Sequence, residues 1–471
     1  MLVHLAFLVC LSGKFFNMWR GDKMKKRKLV LWNPKPFEQE VGERLYPPLS
    51  LGIIASLMPS NWEVVIRDEF FEEFRTEPCD LVGITAMTCH ALRAYEMADQ
   101  FRKMGITTMM GGIHASVCSE EALEFVDVVV KGEVEDVLNE IISDFENNSL
   151  KRLYEAKEPV DLAKVPQQAF HLYNPKYNWG IIQTTRGCAA NCEFCAVTAL
   201  NGATYRKRPV DNVIEELKNM PQKSFFFADD NLLGFSHDDH QRFKELCEKM
   251  IESNINKIWI AQVPVQFSDN EELIKIAQKA GCIGVCIGIE SGSLAVLSGK
   301  MNKRMNVKYL ESAQFAKKIQ KHGIQVFGSF IVGNDEDGLD CFKQTFKTIK
   351  KLKLAMAHVG PLVPYPGTRL FERMRAEGRL IYTNFPQDWK HYKRSKFPLY
   401  KLSKLTSHQL KDGTIWLWKK LFSRFSITQR ACMAFISTGK LKNAKAVYRI
   451  NKEWGKLYNS RIKNLKLENQ S

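Results

Sequence analysis

The chain has 471 residues, 45% hydrophobic and 25% charged, which excludes a disordered polymer and exceeds one ordinary core, so two or three domains are expected. Its formal net charge of +16 lies in one place: residues 391–471 hold 19 Lys or Arg against 3 Asp or Glu. Twelve cysteines scattered through strand-like and helix-like segments argue against a secreted disulfide framework and for a reducing, cytoplasmic setting.

The opening MLVHLAFLVCLSGKFF holds an apolar run of roughly a dozen residues, short of the about 20 that span a bilayer. It lacks a basic lead and a small-residue cleavage site. Residues 1–24 are read as an extension or the product of an upstream start codon, with a surface anchor as the alternative. Next, LVLWNP, WEVVIRDE, CDLVGITAM, TTMMGG and VDVVVKGE form five β-rich runs, with helical patterns between several of them. That rhythm predicts a Rossmann-like, flavodoxin-like open parallel sheet over residues 25–150, with its ligand crevice beyond the carboxyl ends of the strands. Residues 151–177, with Pro159, Pro166 and Pro175, read as a linker. Then WGIIQTT, SFFFADDN, KIWIAQVP, GVCIGIES, QVFGSFIVG and MAHVGPLVP restart the alternation. Six such units over residues 178–385 predict a partial (β/α)6 TIM barrel, two units short of closure. From residue 386 to 471 the signals become helical and basic.

The stretch RGCAANCEFCAV sets Cys188, Cys192 and Cys195 at spacings of four and three, in the loop after the first barrel strand, where active-site residues gather. Structural zinc wants four ligands and no second pair lies nearby. Three core cysteines would not interleave with Gly187, Asn191 and Glu193 in a polar loop. Three thiolates do suit a [4Fe-4S] cluster, leaving one iron open to a substrate. With Phe194 before the third cysteine, the stretch resembles the CxxxCxxC signature of radical S-adenosylmethionine enzymes. The resemblance implies that S-adenosylmethionine chelates the open iron and is cleaved there to a 5′-deoxyadenosyl radical. It also implies contacts to that molecule from Phe194, from Asp229, Asp230 and Asn231 after the second strand, and from Gln262 on the third. Glu290 and Ser291 of GIES, and Ser329 and Gly333 of SFIVGNDE, complete the set, with Ser329 standing where the family pattern begins with Gly. Cys282 and Cys286 sit about 13 Å apart if extended on one strand, and read as core.

In the first domain no GxGxxG follows the first strand, so a dinucleotide fingerprint is absent. PPLSLG (47–52), Thr85-Ala-Met87, GGIHAS (111–116) and VDVVVKGEVE (126–135) resemble the cobalamin-binding domain that precedes the barrel in a large subgroup of these enzymes. That resemblance implies cobalamin contacts from Thr85, Gly111, Gly112, His114 and Glu133. The DxHxxG motif that supplies an imidazole to cobalt elsewhere is missing. His114 and His90 therefore read as a loop and a helix-start residue rather than metal ligands, and a domain that has lost the cofactor is the alternative.

In the tail, DGTIWLWKKLFSRFSITQR interleaves Trp416, Trp418, Phe422 and Phe425 with Lys419, Lys420, Arg424 and Arg430. It reads as an amphipathic helix packed on the barrel, or as one lying on a membrane surface. Nucleic acid is not expected, since no recognition module is visible. The whole is read as an enzyme, a cobalamin-dependent radical C-methyltransferase acting on a small-molecule or lipid-like substrate. A flavodoxin- or ferredoxin-type reductant is implied, and the location is cytoplasmic or membrane-peripheral. Radical cyclisation, oxidation or rearrangement, methylthio transfer and cofactor sensing are the alternatives, and the catalytic residues are unassigned.

Overall fold

In the computed structural model, which describes residues 26–35, 46–393 and 398–467, two six-stranded sheets carry the architecture. The extension read at residues 1–24 lies outside the described residues. The first sheet comprises β1 (Arg27–Asn33), β2 (Trp62–Asp68), β3 (Leu81–Thr85), β4 (Thr107–Gly111), β5 (Val128–Lys131) and β6 (Leu153–Glu155), in the order 2-1-3-4-5-6. Every neighbouring pair is parallel. The chain direction of travel reverses between β1 and β3, and that switch point opens the crevice. Helices cover both faces, so β1 is buried from Leu29 to Asn33 and reads as an unbroken apolar run. Helix Ala91–Lys103 buries Ala91, Ala94, Met97, Ala98 and Phe101, three or four residues apart, as its pattern predicts. β6 corrects the sequence reading: it comes from the stretch taken as a linker, and only Tyr154 of its three residues is buried, which left no alternation to see.

The second sheet comprises β7 (Gly180–Ile182), β10 (Ser224–Phe227), β11 (Ile258–Gln262), β12 (Cys282–Glu290), β13 (Gln325–Val332) and β14 (Met356–Pro361). Its strands lie in chain order, all parallel, and it is open between β7 and β14. A two-residue antiparallel pair, β8 (Thr185–Arg186) with β9 (Arg206–Lys207), brackets the cysteine loop. Both open edges are covered, as exposed strand edges must be. At β7, Gln168 donates to the Ile181 carbonyl (2.8 Å) and to Glu216 (2.7 Å). At β14, Trp418 donates to the Val359 carbonyl and Asn451 to the Ala355 carbonyl, both at 2.8 Å. Those two residues belong to helices Ser407–Leu421 and Leu441–Leu467, between which lies helix Arg424–Thr438. No described helix is long and apolar enough to cross a membrane.

The sheets are locked together in two ways. After β14 the chain returns to the first sheet, where Leu370, Phe371, Trp389, Tyr392 and Tyr400 enter a core shared with Val82, Met97 and Phe101. Trp389 also donates to the Glu121 carboxylate at 2.9 Å. Trp389, Tyr392, Leu399 and Tyr400 thus pack with the first sheet rather than with the helical tail. On the other side Glu133 receives Arg186 (2.6 Å) and Arg206 (2.8 Å), and Glu135 receives the second nitrogen of Arg186. These ion pairs span the two sheets within a largely buried seam.

Candidate functional site

The cysteine loop leaves β8 through Gly187, at φ +89°. A Cβ there would lie 2.4 Å from the Thr204 carbonyl oxygen, so only glycine makes this turn. Asn191, at φ +48°, bends the chain between the first two cysteines. Its carbonyl accepts from Asn302 (3.1 Å) and Arg369 (2.6 Å). Arg373 forks onto the Glu193 carboxylate at 2.7 and 3.1 Å and donates to Asp335 at 2.8 Å. Such bidentate pairing fixes direction as well as distance. A loop of few internal hydrogen bonds is therefore held by residues about 180 positions further along.

The loop presents Cys188, Cys192 and Cys195 to one cavity of about 430 Å³ at the carboxyl ends of the barrel strands. Burial pushes the Cys192 thiol up to about 11 and raises that of Cys195, and the neighbouring thiols act on both. Among the described residues no three Cys, His, Asp or Glu side chains converge on a single ion. A cubane cluster does not ask for that, because each thiolate meets a different iron. Cys282 lies in the core as expected, but Cys286 corrects the reading by lining this cavity. Burial pushes its thiol up to about 11. Burial pushes the Cys79 thiol up to about 11 and the Cys118 thiol up to about 12.

Of the residues implied to meet S-adenosylmethionine, Phe194, Asp230, Asn231, Gln262, Glu290 and Ser329 line the cavity. Burial, then the adjoining Asp229, pushes the Asp230 carboxyl up to about 6. The Asn231 Nδ2 is buried without a hydrogen-bond partner, a donor placed on a cavity wall with nothing in the chain to receive it. Asp229, Ser291 and Gly333 are corrections. Asp229 is wholly buried and accepts from the Thr184 N–H (3.1 Å) and from the Thr184 (2.9 Å) and Thr185 (2.6 Å) hydroxyls, holding β7 to β10. The buried Ser291 hydroxyl accepts from the Ser293 N–H at 3.0 Å. Gly333, at φ +97°, turns the chain where Asp337 accepts its N–H at 2.9 Å.

Two side chains that sequence reasoning missed complete this cavity. Lys303 lines it, half-buried, 3.6 Å from Glu290. Burial lowers the lysine, but Glu290 and all three cysteines outweigh it, so the ammonium is held charged among the thiols. Gly288 makes this pairing possible, since a Cβ there would lie 2.2 Å from the Glu290 carboxylate. Glu290 itself sits at φ +71°, a conformation that non-glycine residues keep where surrounding structure imposes it. On β14, His358 lines the cavity and bonds through Nδ1 to the Tyr458 hydroxyl from the last helix. A period-two reading of MAHVGP, which puts His358 and Gly360 on one face, would have found it.

A second cavity, of about 370 Å³, lies beyond the carboxyl ends of β3, β4 and β5. Its wall is largely apolar and backbone, with Thr85, Gly111, Gly112 and Glu133 on it. Gly112 is at φ +96°, and a Cβ there would come within 2.9 Å of the Ala86 carbonyl. At Gly111 a Cβ would meet nothing closer than 3.9 Å, so the room that a side chain would fill is left open on the wall. This suits the nucleotide tail of a corrinoid. One correction applies here. His114 is not on this wall: it is wholly buried, bonded to Tyr95 (3.0 Å) and Glu121 (3.3 Å) under Trp389. The Glu133 carboxylate is engaged by the two arginines. Helix Ala196–Asn201 joins the cavities: Ala196 and Val197 line the first, Leu200 and Asn201 the second.

Known proteins resemble this chain in sequence and in fold. The sequence profile of the radical SAM superfamily matches residues 182–349, and that of the B12 binding domain matches residues 43–142. A bacteriochlorophyllide d C-12(1)-methyltransferase of Chlorobaculum tepidum is 28% identical over 427 residues, covering 87% of this chain and 90% of the relative. A hopanoid C-2 methylase of Rhodopseudomonas palustris is 24% identical over 350 residues, covering 71% of this chain and 66% of the relative. The solved structure of the radical S-adenosylmethionine methyltransferase TsrM from Kitasatospora setae, with cobalamin and [4Fe-4S] cluster bound, matches with a TM-score of 0.66. It covers 91% of this chain and 99% of that one at 14% identity, a likeness of fold.

Proposed function

The chain belongs to the radical S-adenosylmethionine superfamily and carries a B12-binding domain, so its cofactors are a [4Fe-4S] cluster, S-adenosylmethionine and cobalamin, and we propose that it methylates an unactivated carbon. The observation that carries this reading is the single six-residue helix between the two cavities. At 1.5 Å per residue it is about 9 Å long, which sets a thiolate-lined chamber beside a glycine-walled one. When bound, the cluster and S-adenosylmethionine supply a 5′-deoxyadenosyl radical, and cobalamin supplies the methyl group.

The chain's part is to hold, orient and exclude water. Cys188, Cys192 and Cys195 are the cluster ligands, and Arg373, Arg369 and Asn302 fix the loop that carries them. Asn231 offers its unpartnered amide, and the paired Lys303 and Glu290 offer one charge of each sign, to the amino-acid end of S-adenosylmethionine. Phe194, Val263, Val265, Ile331 and Val363 give the same chamber apolar walls, which supports a small or lipid-like substrate over a strongly charged one. The names of the two relatives, a chlorophyllide methyltransferase and a hopanoid methylase, support the same class. A flavodoxin- or ferredoxin-type donor fits the low potentials such clusters reach. The basic C-terminal helices are the proposed contact with a membrane surface.

The test needs no substrate. Protein reconstituted anaerobically with iron, sulfide and hydroxocobalamin receives S-adenosylmethionine deuterated in the methyl group, under reducing conditions. The reading expects labelled methylcobalamin on the protein and release of 5′-deoxyadenosine. Deoxyadenosine without label on cobalamin would move the protein to radical cyclisation, oxidation or rearrangement, and neither product would support a sensor.

A further inference from the structure

A third cavity, of about 100 Å³, lies on the outer side of the barrel, away from both chambers, between helix Cys341–Leu352 and helix Arg424–Thr438. Lys350, Lys353 and Arg430 line it, together with Ser426 and Gln429. Among the described residues no carboxylate pairs with any of these three cations. The Arg430 guanidinium is mostly buried, its Nε has no partner, and one terminal nitrogen is used on the Leu421 carbonyl. Burial without a counter-charge pushes it down to about 10. A buried, unpaired guanidinium with two lysines around a pocket of this size calls for a tetrahedral oxyanion.

The surroundings say where that oxyanion comes from. Past the exposed Arg424, the outward stripe of helix Arg424–Thr438 is Phe425, Thr428, Gln429, Cys432, Phe435 and Ile436, none of them charged. Phe425 is 74% exposed and Ile436 73%, and Leu441, just past the turn, is 60% exposed. Residues 413–452 contain nine Lys or Arg and no Asp or Glu. Gln429 belongs both to this stripe and to the cavity wall. Large apolar side chains on an uncharged stripe, rimmed only by cations, are the surface of a helix that lies in the headgroup layer of an anionic bilayer. Nucleic acid would use the cations but would gain nothing from Ile436 and Leu441.

We infer that this helical pair docks on an anionic phospholipid surface, with Phe425, Phe435, Ile436 and Leu441 in the acyl boundary and a headgroup phosphate in the Arg430–Lys350–Lys353 cavity. The inference adds a binding site to the membrane contact proposed above and does not depend on the reaction catalysed. Full-length protein with its cofactors is sedimented with vesicles of phosphatidylcholine alone and of phosphatidylcholine mixed with phosphatidylglycerol. At least about tenfold stronger association with the anionic vesicles is expected, weakening as salt is raised. The pair Phe425→Ser and Ile436→Ser, both exposed and foreign to the active site, lowers it severalfold while 5′-deoxyadenosine release stays as in wild type. Lys350→Gln with Lys353→Gln removes the preference for anionic over neutral vesicles, as does Arg430→Gln. Equal binding to both vesicles, or unchanged binding in the exposed-residue pair, overturns the inference. Binding of inorganic phosphate or of a duplex RNA without vesicle association overturns the lipid assignment.

Discussion

The two cofactor chambers occupy the same position in two different sheets, beyond the carboxyl ends of parallel strands, yet their walls differ in kind. The barrel chamber is walled by side chains with charge and chemistry: three thiols, Asp230, Glu290 and Lys303. The chamber of the first sheet is walled by backbone, glycine and apolar groups, and its charged residues are spent on the seam between domains. In the proposed reading, one recognises by ligation and charge, the other by shape. Substitutions in the two should therefore separate cleanly, and the ones that follow run from the largest expected effect to the smallest.

Cys192→Ala removes one of the three proposed ligands and should bring bound iron, the broad cluster absorbance and 5′-deoxyadenosine release to background, while cobalamin binding persists. Anaerobic iron and corrinoid assays on the same sample check both halves. Gly111→Leu fills the shape-selective chamber without forcing the backbone, since a Cβ is already accommodated there. Overfilling of that kind costs about 1–3 kcal/mol, so cobalamin affinity should fall about 10-fold or more with iron content and thermal midpoint nearly unchanged. Loss of iron in this variant would mean that the chambers are not independent.

Arg373→Ala tests the anchoring of the cysteine loop. Removing an outer support of a metal site typically costs about 10-fold in retention, so iron should be lost about that much faster to a chelator, with Arg373→Lys in between. The smallest effect concerns the seam. Burial alone would raise the Glu133 carboxyl, but Arg206 and Arg186 outweigh it and hold it below the usual carboxylate range. A depressed pKa means that its stabilisation is present above the unfolded-state value of about 4.3 and is lost as the pH falls through the lower folded-state one. Thermal midpoints should therefore drop below about pH 4.5, and Glu133→Gln should flatten that slope while costing a few degrees at neutral pH.

The side-chain chamber was the more legible of the two. Its three thiols stand four and three residues apart and announce themselves, and strand ends such as FFFADDN and GIES carry polar residues where parallel strands must deliver them. Which of neighbouring polar residues turns inward was harder to read. Asp229 and Asp230 are adjacent, and the inward one is decided by Thr184 and Thr185, about 45 residues earlier, which claim Asp229. Lys303 sits in a run with Lys300 and Arg304, and nothing local says that Lys303 turns to the thiols while Lys300 faces Asp335. Arg373 and Glu193 meet across a separation that no window along the chain can see. In the first domain the glycines could be found but not their uses: Gly112 serves a backbone turn, Gly111 leaves space, and His114 beside them serves the packing under Trp389. The weak sixth strand shows the same limit, because three residues with one buried side chain carry too little pattern to be told from a connection.

All of this depends on the proposal that Cys188, Cys192 and Cys195 hold the cluster and leave one iron open to S-adenosylmethionine. Electron paramagnetic resonance of the anaerobically reduced protein, recorded before and after S-adenosylmethionine is added, tests that most directly. A single [4Fe-4S]⁺ signal whose g-values shift on addition is the predicted result. A signal that does not respond, or the absence of any such cluster, would contradict the account.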